Sequence, residues 1–117
     1  MEVIVYQKQY KNNSTIDDFI NSIYHRGMKH LASDLLAKGV HPEDIKIAVK
    51  KAILATENSG LDAKKHFQPV ISVKNGTSFI DCRLSKLGYS LVLLNAEPKN
   101  QYIADFQVKV ANQFLIK

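Results

Sequence analysis

Apolar positions along the chain fall into blocks of different period. Residues 2–7 alternate, with Val3 and Val5 opposing Ile4 and Tyr6, which predicts a short strand. Lys11-Asn12-Asn13-Ser14 is a polar break. Ser14 or Thr15 then caps a helix with Asp17 and Asp18 in its first turn, where the positive end of the helix dipole favours carboxylates. Ile16, Phe19, Ile20 and Ile23 keep the i, i+3, i+4, i+7 spacing of a core-facing stripe. After Gly27, the residues Met28, Leu31, Leu35 and Leu36 predict a second helical stripe, stopped at Lys38-Gly39.

Pro42 suits the first position of the next helix, followed by Glu43 and Asp44. Ile45, Ala48, Val49, Ala52 and Ile53 form its apolar face, Lys46, Lys50 and Lys51 turn away from that face, and Asn58-Ser59-Gly60 ends it. Residues 70–74 and 77–81 flank Asn75-Gly76. Both central residues of a type I′ turn need positive φ, which Asn-Gly tolerates, so a two-stranded hairpin is predicted near residues 70–82.

Ser85 is the expected cap of a further helix, with Leu84 and Tyr89 at the spacing of a hydrophobic staple. The run Tyr89-Ser90-Leu91-Val92-Leu93-Leu94 is nearly all apolar, so its period cannot separate helix from strand, and the cap decides for helix. The stretch from Asn95 to Pro98 is a turn, because the residue before proline avoids the helical region. A last helix runs from Lys99, with Ile103, Phe106, Val110 and Phe114 inside and Asp105 with Lys109 as an outer i, i+4 pair. The class expected is α+β: a mostly helical single domain over residues 1–117, a small antiparallel sheet and two closing C-terminal helices. Its expected core is Ile45, Val49, Ala52, Ile53, Phe67, Val73, Leu91, Leu94, Ile103, Phe106 and Val110.

Composition changes the picture little. At 117 residues and 45% hydrophobic, the chain suits one core. It has no apolar run long enough for a bilayer span, and its start shows neither a basic n-region nor a cleavage pattern. The lone Cys82 excludes an internal disulfide, so a soluble protein of a reducing cytoplasm is expected. The net charge of +5 favours anionic partners. Lysine supplies nearly all of it, Arg26 and Arg83 being the two arginines, and lysine serves phosphate contact more than base reading.

An ordered set of short signals adds to this reading. They are Lys51-Ala52, Glu57-Asn58-Ser59-Gly60, His66-Phe67, then Asp81, Leu84, Ser85 and Lys86, then Tyr89 and Leu91, then Asn95, Glu97 and Pro98, and finally Ile103, Ala104 and Gln107. In order and spacing they resemble the N-terminal region of DNA-damage-inducible protein D and of phage antirepressors of the BRO-N type, most clearly over residues 45–107. The resemblance implies a phage-type or SOS-linked regulator that acts by binding DNA or a DNA-associated host or phage protein, and is not an enzyme. Upstream, Ala32-Ser33-Asp34-Leu35 lacks the family's arginine and aromatic pair, and the turn reads Asn95-Ala96-Glu97-Pro98 in place of Asn-Gly-Asp-Pro.

Candidate contacts follow. His41, Lys46, Lys50 and Lys51 would belong to the second helix of a helix-turn-helix running from Leu31 to Lys51; the ordinary alternative is a helical hairpin with a solvated lysine face. Lys64 and Lys65, with His66, would extend a basic patch or form a charged loop, His66-Phe67 then anchoring by packing with the histidine satisfied by backbone. Lys74 and Asn75 would form a probing hairpin tip, or a turn chosen for its backbone angles. Cys82 has no histidine at a recognisable distance, and His25, His30, His41 and His66 lack the pair spacing of a zinc site, so no catalytic residue, metal or cofactor is expected. Two functions are carried forward: DNA binding through a lysine-rich face, and inhibition of a host repressor, recombination protein or defence nuclease. Membrane association is not expected, and a dimer is compatible with either function.

Overall fold

A computed structural model of the chain describes residues 2–5, 16 and 27–115. The expected helix of residues 14–23 lies outside them except for Ile16, which is helical, and the expected strand is described for residues 2–5. In chain order come β1 (Glu2–Val5), β2 (His30–Leu31), a 3₁₀ segment (Ala32–Lys38), α1 (Pro42–Asn58), a short 3₁₀ turn (Ala63–Lys65), β3 (Phe67–Lys74), β4 (Thr77–Leu84), α2 (Lys86–Asn95) and α3 (Gln101–Leu115). The class is α+β. The four strands form one antiparallel sheet of order β1-β3-β4-β2.

The β3–β4 hairpin forms as expected and is longer at its base. Lys74 pairs with Thr77 across a turn in which Asn75 and Gly76 have φ of 53° and 78°. At the base, Phe67 opposes Leu84, and both are buried with Leu35, Ile45, Ala48, Ala52, Val92, Leu93 and Ile103 in the helical core. Val70, Ser72 and Asp81, which share the opposite face, are also buried. On the face of Phe67 and Leu84, burial ends before the tip, and Ile80 is 74% exposed.

α1 begins at Pro42 and buries Ile45, Ala48, Ala52 and Thr56. The Thr56 hydroxyl donates to the Ala52 carbonyl, which satisfies the one buried polar side chain on that face. Ser85 caps α2 as expected: its Oγ accepts from the Gly88 N–H at 3.0 Å, while Leu84 is buried in the core and Tyr89 packs against that core. The Asn100 carboxamide caps α3 by accepting from the Ile103 N–H. The Gln107 amide reaches back to donate to the Leu93 and Ala96 carbonyls, at the end of α2 where helix geometry leaves carbonyls without partners.

Three expectations are corrected. Residues 28–38 are not an α-helix: Leu31 pairs with Arg83 in the sheet, and the following segment winds as 3₁₀. Its path is set from 48 positions away, where Asp81 holds Ser33, a contact no local period reveals. Leu94 is 41% exposed; the phase of α2 buries Val92 and Leu93 instead. Phe114 is 74% exposed, whereas Ile103 is fully buried and Phe106 packs against the core.

Candidate binding surface

The outer face of α1 holds three of the expected contact residues. With about 100° per residue, Lys46 and Lys50 lie along one flank and Lys51 along the other. Between them run Ile47 and Leu54, one heptad apart and 48% and 57% exposed. Glu43 and Glu57 stand on the Lys46–Lys50 side. The face is therefore not a lysine stripe; it is an apolar pair rimmed by mixed charge. His41 precedes Pro42, is exposed, and makes no capping hydrogen bond with its ring. The first turn of α1 carries Glu43 and Asp44, and Asp44 Oδ2 lies 3.5 Å from Lys99 Nζ.

The other expected residues lie elsewhere. Lys64 and Lys65 are exposed on the short turn at the base of β3, whose cap is the Asp62 carboxylate accepting from the Lys64 N–H. Lys74 and Asn75 are at the far end of β3, roughly 23 Å from Phe67 at the rise of an extended strand. The tip and base lysines thus cannot share one compact patch. Because a 3₁₀ segment stands where the first helix of a helix-turn-helix was expected, and acids occupy the first turn of the second, that motif is not formed.

His66 is satisfied by a side chain and not by backbone as expected: its Nδ1 lies 2.7 Å from Ser85 Oγ. The same hydroxyl oxygen accepts from Gly88, and the Ser85 N–H donates to the His66 carbonyl, so the pair locks the hairpin base to the start of α2. This role uses both partners structurally.

Two further polar groupings were not foreseen. The Asp81 carboxylate, 8% exposed, accepts at Oδ1 from the N–H groups of Ser33 and Cys82, at 3.1 and 2.7 Å. Its Oδ2 accepts from the hydroxyls of Ser72, at 2.9 Å, and Ser33. Flanking the 3₁₀ segment, His30 before it stacks on Tyr89 at 4.4 Å, Tyr89 and Tyr102 share a 2.8 Å hydroxyl hydrogen bond, and the ammonium of Lys38 at its end sits 5.0 Å above the Tyr102 ring. Burial, then the Tyr102 hydroxyl, push the Tyr89 phenol well above its ordinary range. This cluster ties β2, the 3₁₀ segment, α2 and α3 together.

Burial, with the Asp81 charge adding to it, pushes the Cys82 thiol up to about 12, so it is protonated and inert near neutral pH. Among the described residues no group of three His, Cys, Asp or Glu side chains could hold a metal ion, and no helix is long and apolar enough to cross a membrane. Comparisons of the chain with family models, with curated proteins and with solved structures found no match.

Only part of this surface was legible in advance. The lysines announce themselves by charge. Ile47 and Leu54 were missed although the signal was present: both fall at the wrong helical phase for the Ile45, Ala48, Ala52 face.

Proposed function

We propose that this domain is a non-enzymatic regulatory binding module whose α1 outer face docks onto an acidic protein surface with an apolar centre, in the manner of a small inhibitor. One observation carries the reading: Ile47 and Leu54 are exposed together, between Lys46 and Lys50 on one side and Lys51 on the other. Protein interfaces place apolar anchors centrally and charge at the rim. A phosphate backbone rewards cations and gains little from aliphatic side chains.

DNA binding of the antirepressor type is the second reading, supported by the +5 net charge and by the exposed Lys46, Lys50 and Lys51 of α1, with Lys64, Lys65 and Lys74 as outlying contacts. One pair of variants separates the two. Replacing Ile47 and Leu54 by serine should weaken a protein complex by about 2–4 kcal/mol while barely touching affinity for duplex DNA. Reversing Lys46, Lys50 and Lys51 to glutamate should abolish DNA affinity and flatten its salt dependence, but chiefly slow association with a protein. Candidate repressors, recombination proteins and defence nucleases are tested by calorimetry beside a salt-titrated DNA gel shift. Salt-dependent DNA binding that survives the serine variant and is lost in the glutamate variant would overturn the protein reading.

A further inference from the structure

Among the described residues, the sheet has an opening along one strand. β4 pairs with β3 over its whole length, but on its other side β2 covers only Arg83 and Leu84. In a two-residue hairpin the closing pair, Lys74 and Thr77, is hydrogen-bonded, and bonded pairs recur at every second position. The N–H and C=O groups of Ser78, Ile80 and Cys82 therefore point away from β3. The Cys82 N–H is satisfied by the Asp81 carboxylate, over which Ser33 closes. At Ser78 and Ile80 no strand stands alongside among the described residues.

Beside this gap lies an open groove of about 510 Å³ between the 3₁₀ segment and the hairpin tip. It is lined by the apolar side chains of Leu36, Ala37, Val73 and Phe79, with Asp34 on the 3₁₀ side and Lys74 and Asn75 on the hairpin side. A bare edge offers main-chain affinity, and an adjoining groove selects alternate side chains, which together are the requirements of strand addition.

We infer that the Ser78–Ile80 edge of β4 receives an extended peptide segment of a partner protein, which continues the line of β2 in the sheet. The guest sets an apolar side chain over Phe79 and Leu36, an acidic residue toward Lys74 and a basic residue toward Asp34. The opening is a different surface from the α1 face, and the inference stands or falls separately from the function proposed above.

The test uses two fluorescein-labelled heptapeptides of alternating valine and threonine, with glutamate at one end and lysine at the other, in the two opposite sequence directions. One of them should bind saturably in a polarisation assay, and on binding the amides of Ser78 and Ile80 should gain protection from hydrogen exchange. Ile80→Pro removes an outward N–H without touching the β3 ladder, a position where strands accept proline, and should weaken binding by about tenfold or more. As a check that needs no protein variant, methylating the backbone nitrogens of the bound peptide should abolish its binding to the unaltered protein. The inference is overturned if neither peptide binds at millimolar concentration, if the methylated peptide binds as well as its parent, or if protection falls on α1. It is equally overturned if sedimentation shows the edge occupied by a second copy of the chain, as a dimer that Ile80→Pro dissociates.

Discussion

Replacing Asp81 tests whether one buried carboxylate sets the path of the 3₁₀ segment. Its two oxygens accept from four donors: the N–H groups of Ser33 and Cys82 at Oδ1, and the hydroxyls of Ser33 and Ser72 at Oδ2. In Asp81→Ala all four lose their acceptor. The hydroxyls can rotate toward other acceptors, but the two N–H groups are fixed by the backbone. At about 1–2 kcal/mol for each part-buried donor deprived of this carboxylate, the loss is about 2–4 kcal/mol. For a chain of 117 residues that corresponds to a fall in Tm on the order of 10 °C.

Asp81→Asn makes the sharper comparison. Its carbonyl can take the Oδ1 position and keep both N–H bonds. Its NH₂ then faces two hydroxyls, which can turn and accept. The cost should be about 1 kcal/mol, from the lost charge assistance. Urea unfolding of both variants, beside hydrogen exchange at the Ser33 amide, checks this. If alanine costs under about 1 kcal/mol, or if asparagine costs as much as alanine, the carboxylate does not organise this region.

Two other outcomes are expected. A Cβ at Gly88 would lie 2.6 Å from the His66 carbonyl oxygen, a backbone atom, so Gly88→Ala should destabilise by about 1–2 kcal/mol in thermal melts despite the usual gain in helix propensity; a more stable variant would show that the junction is not close-packed. The thiol of Cys82, raised from 9.0 to about 12, should react with iodoacetamide at pH 8 roughly a thousandfold more slowly in the folded than in the urea-unfolded chain; because folding favours the protonated form, its contribution to stability is complete below pH 9 and drains away as pH rises toward 12, a slope that Cys82→Val should remove.

How much of this was readable in advance depends on where the determining contact lies. The hairpin was legible because Asn75 and Gly76 supply the positive φ that a I′ turn demands, a purely local requirement. α1 was legible from Pro42 to Asn58 because its first-turn proline, period and stop agree. The segment from Met28 to Lys38 was misread because its helical spacing is real, yet it is overruled by the pairing of Leu31 with Arg83 and the bond from Ser33 to Asp81. Leu94 failed for a different reason: in a run as apolar as residues 89–94, sequence sets no phase, and α2 takes the one that Tyr89, Val92 and Leu93 need against α1 and α3. For the candidate contacts, charge located the exposed lysines but not their grouping, since distance between α1, the β3 base and the hairpin tip is a property of the sheet.

The treatment of the β4 edge bears on how the domain engages other chains. At Leu84 and Arg83 the edge is covered by β2, and at Cys82 it is closed by the Asp81 carboxylate with Ser33 behind it. Over Ser78, Phe79 and Ile80 there is no lysine, proline or inward charge of the kind that proteins use to blunt such edges. An unguarded edge of many residues would promote indiscriminate pairing. One this short supplies too few hydrogen bonds to hold a strand on main-chain contacts alone, so retention of a guest must draw on the side-chain groove between Asp34 and Lys74. Asp81 thus has two consequences from one position: it fixes the 3₁₀ wall of the groove, and it limits the opening to a length at which binding depends on side-chain identity. Loss of the clasp in Asp81→Ala should therefore impair peptide selection before it impairs the hairpin, because β3 and β4 keep their own ladder when the wall moves.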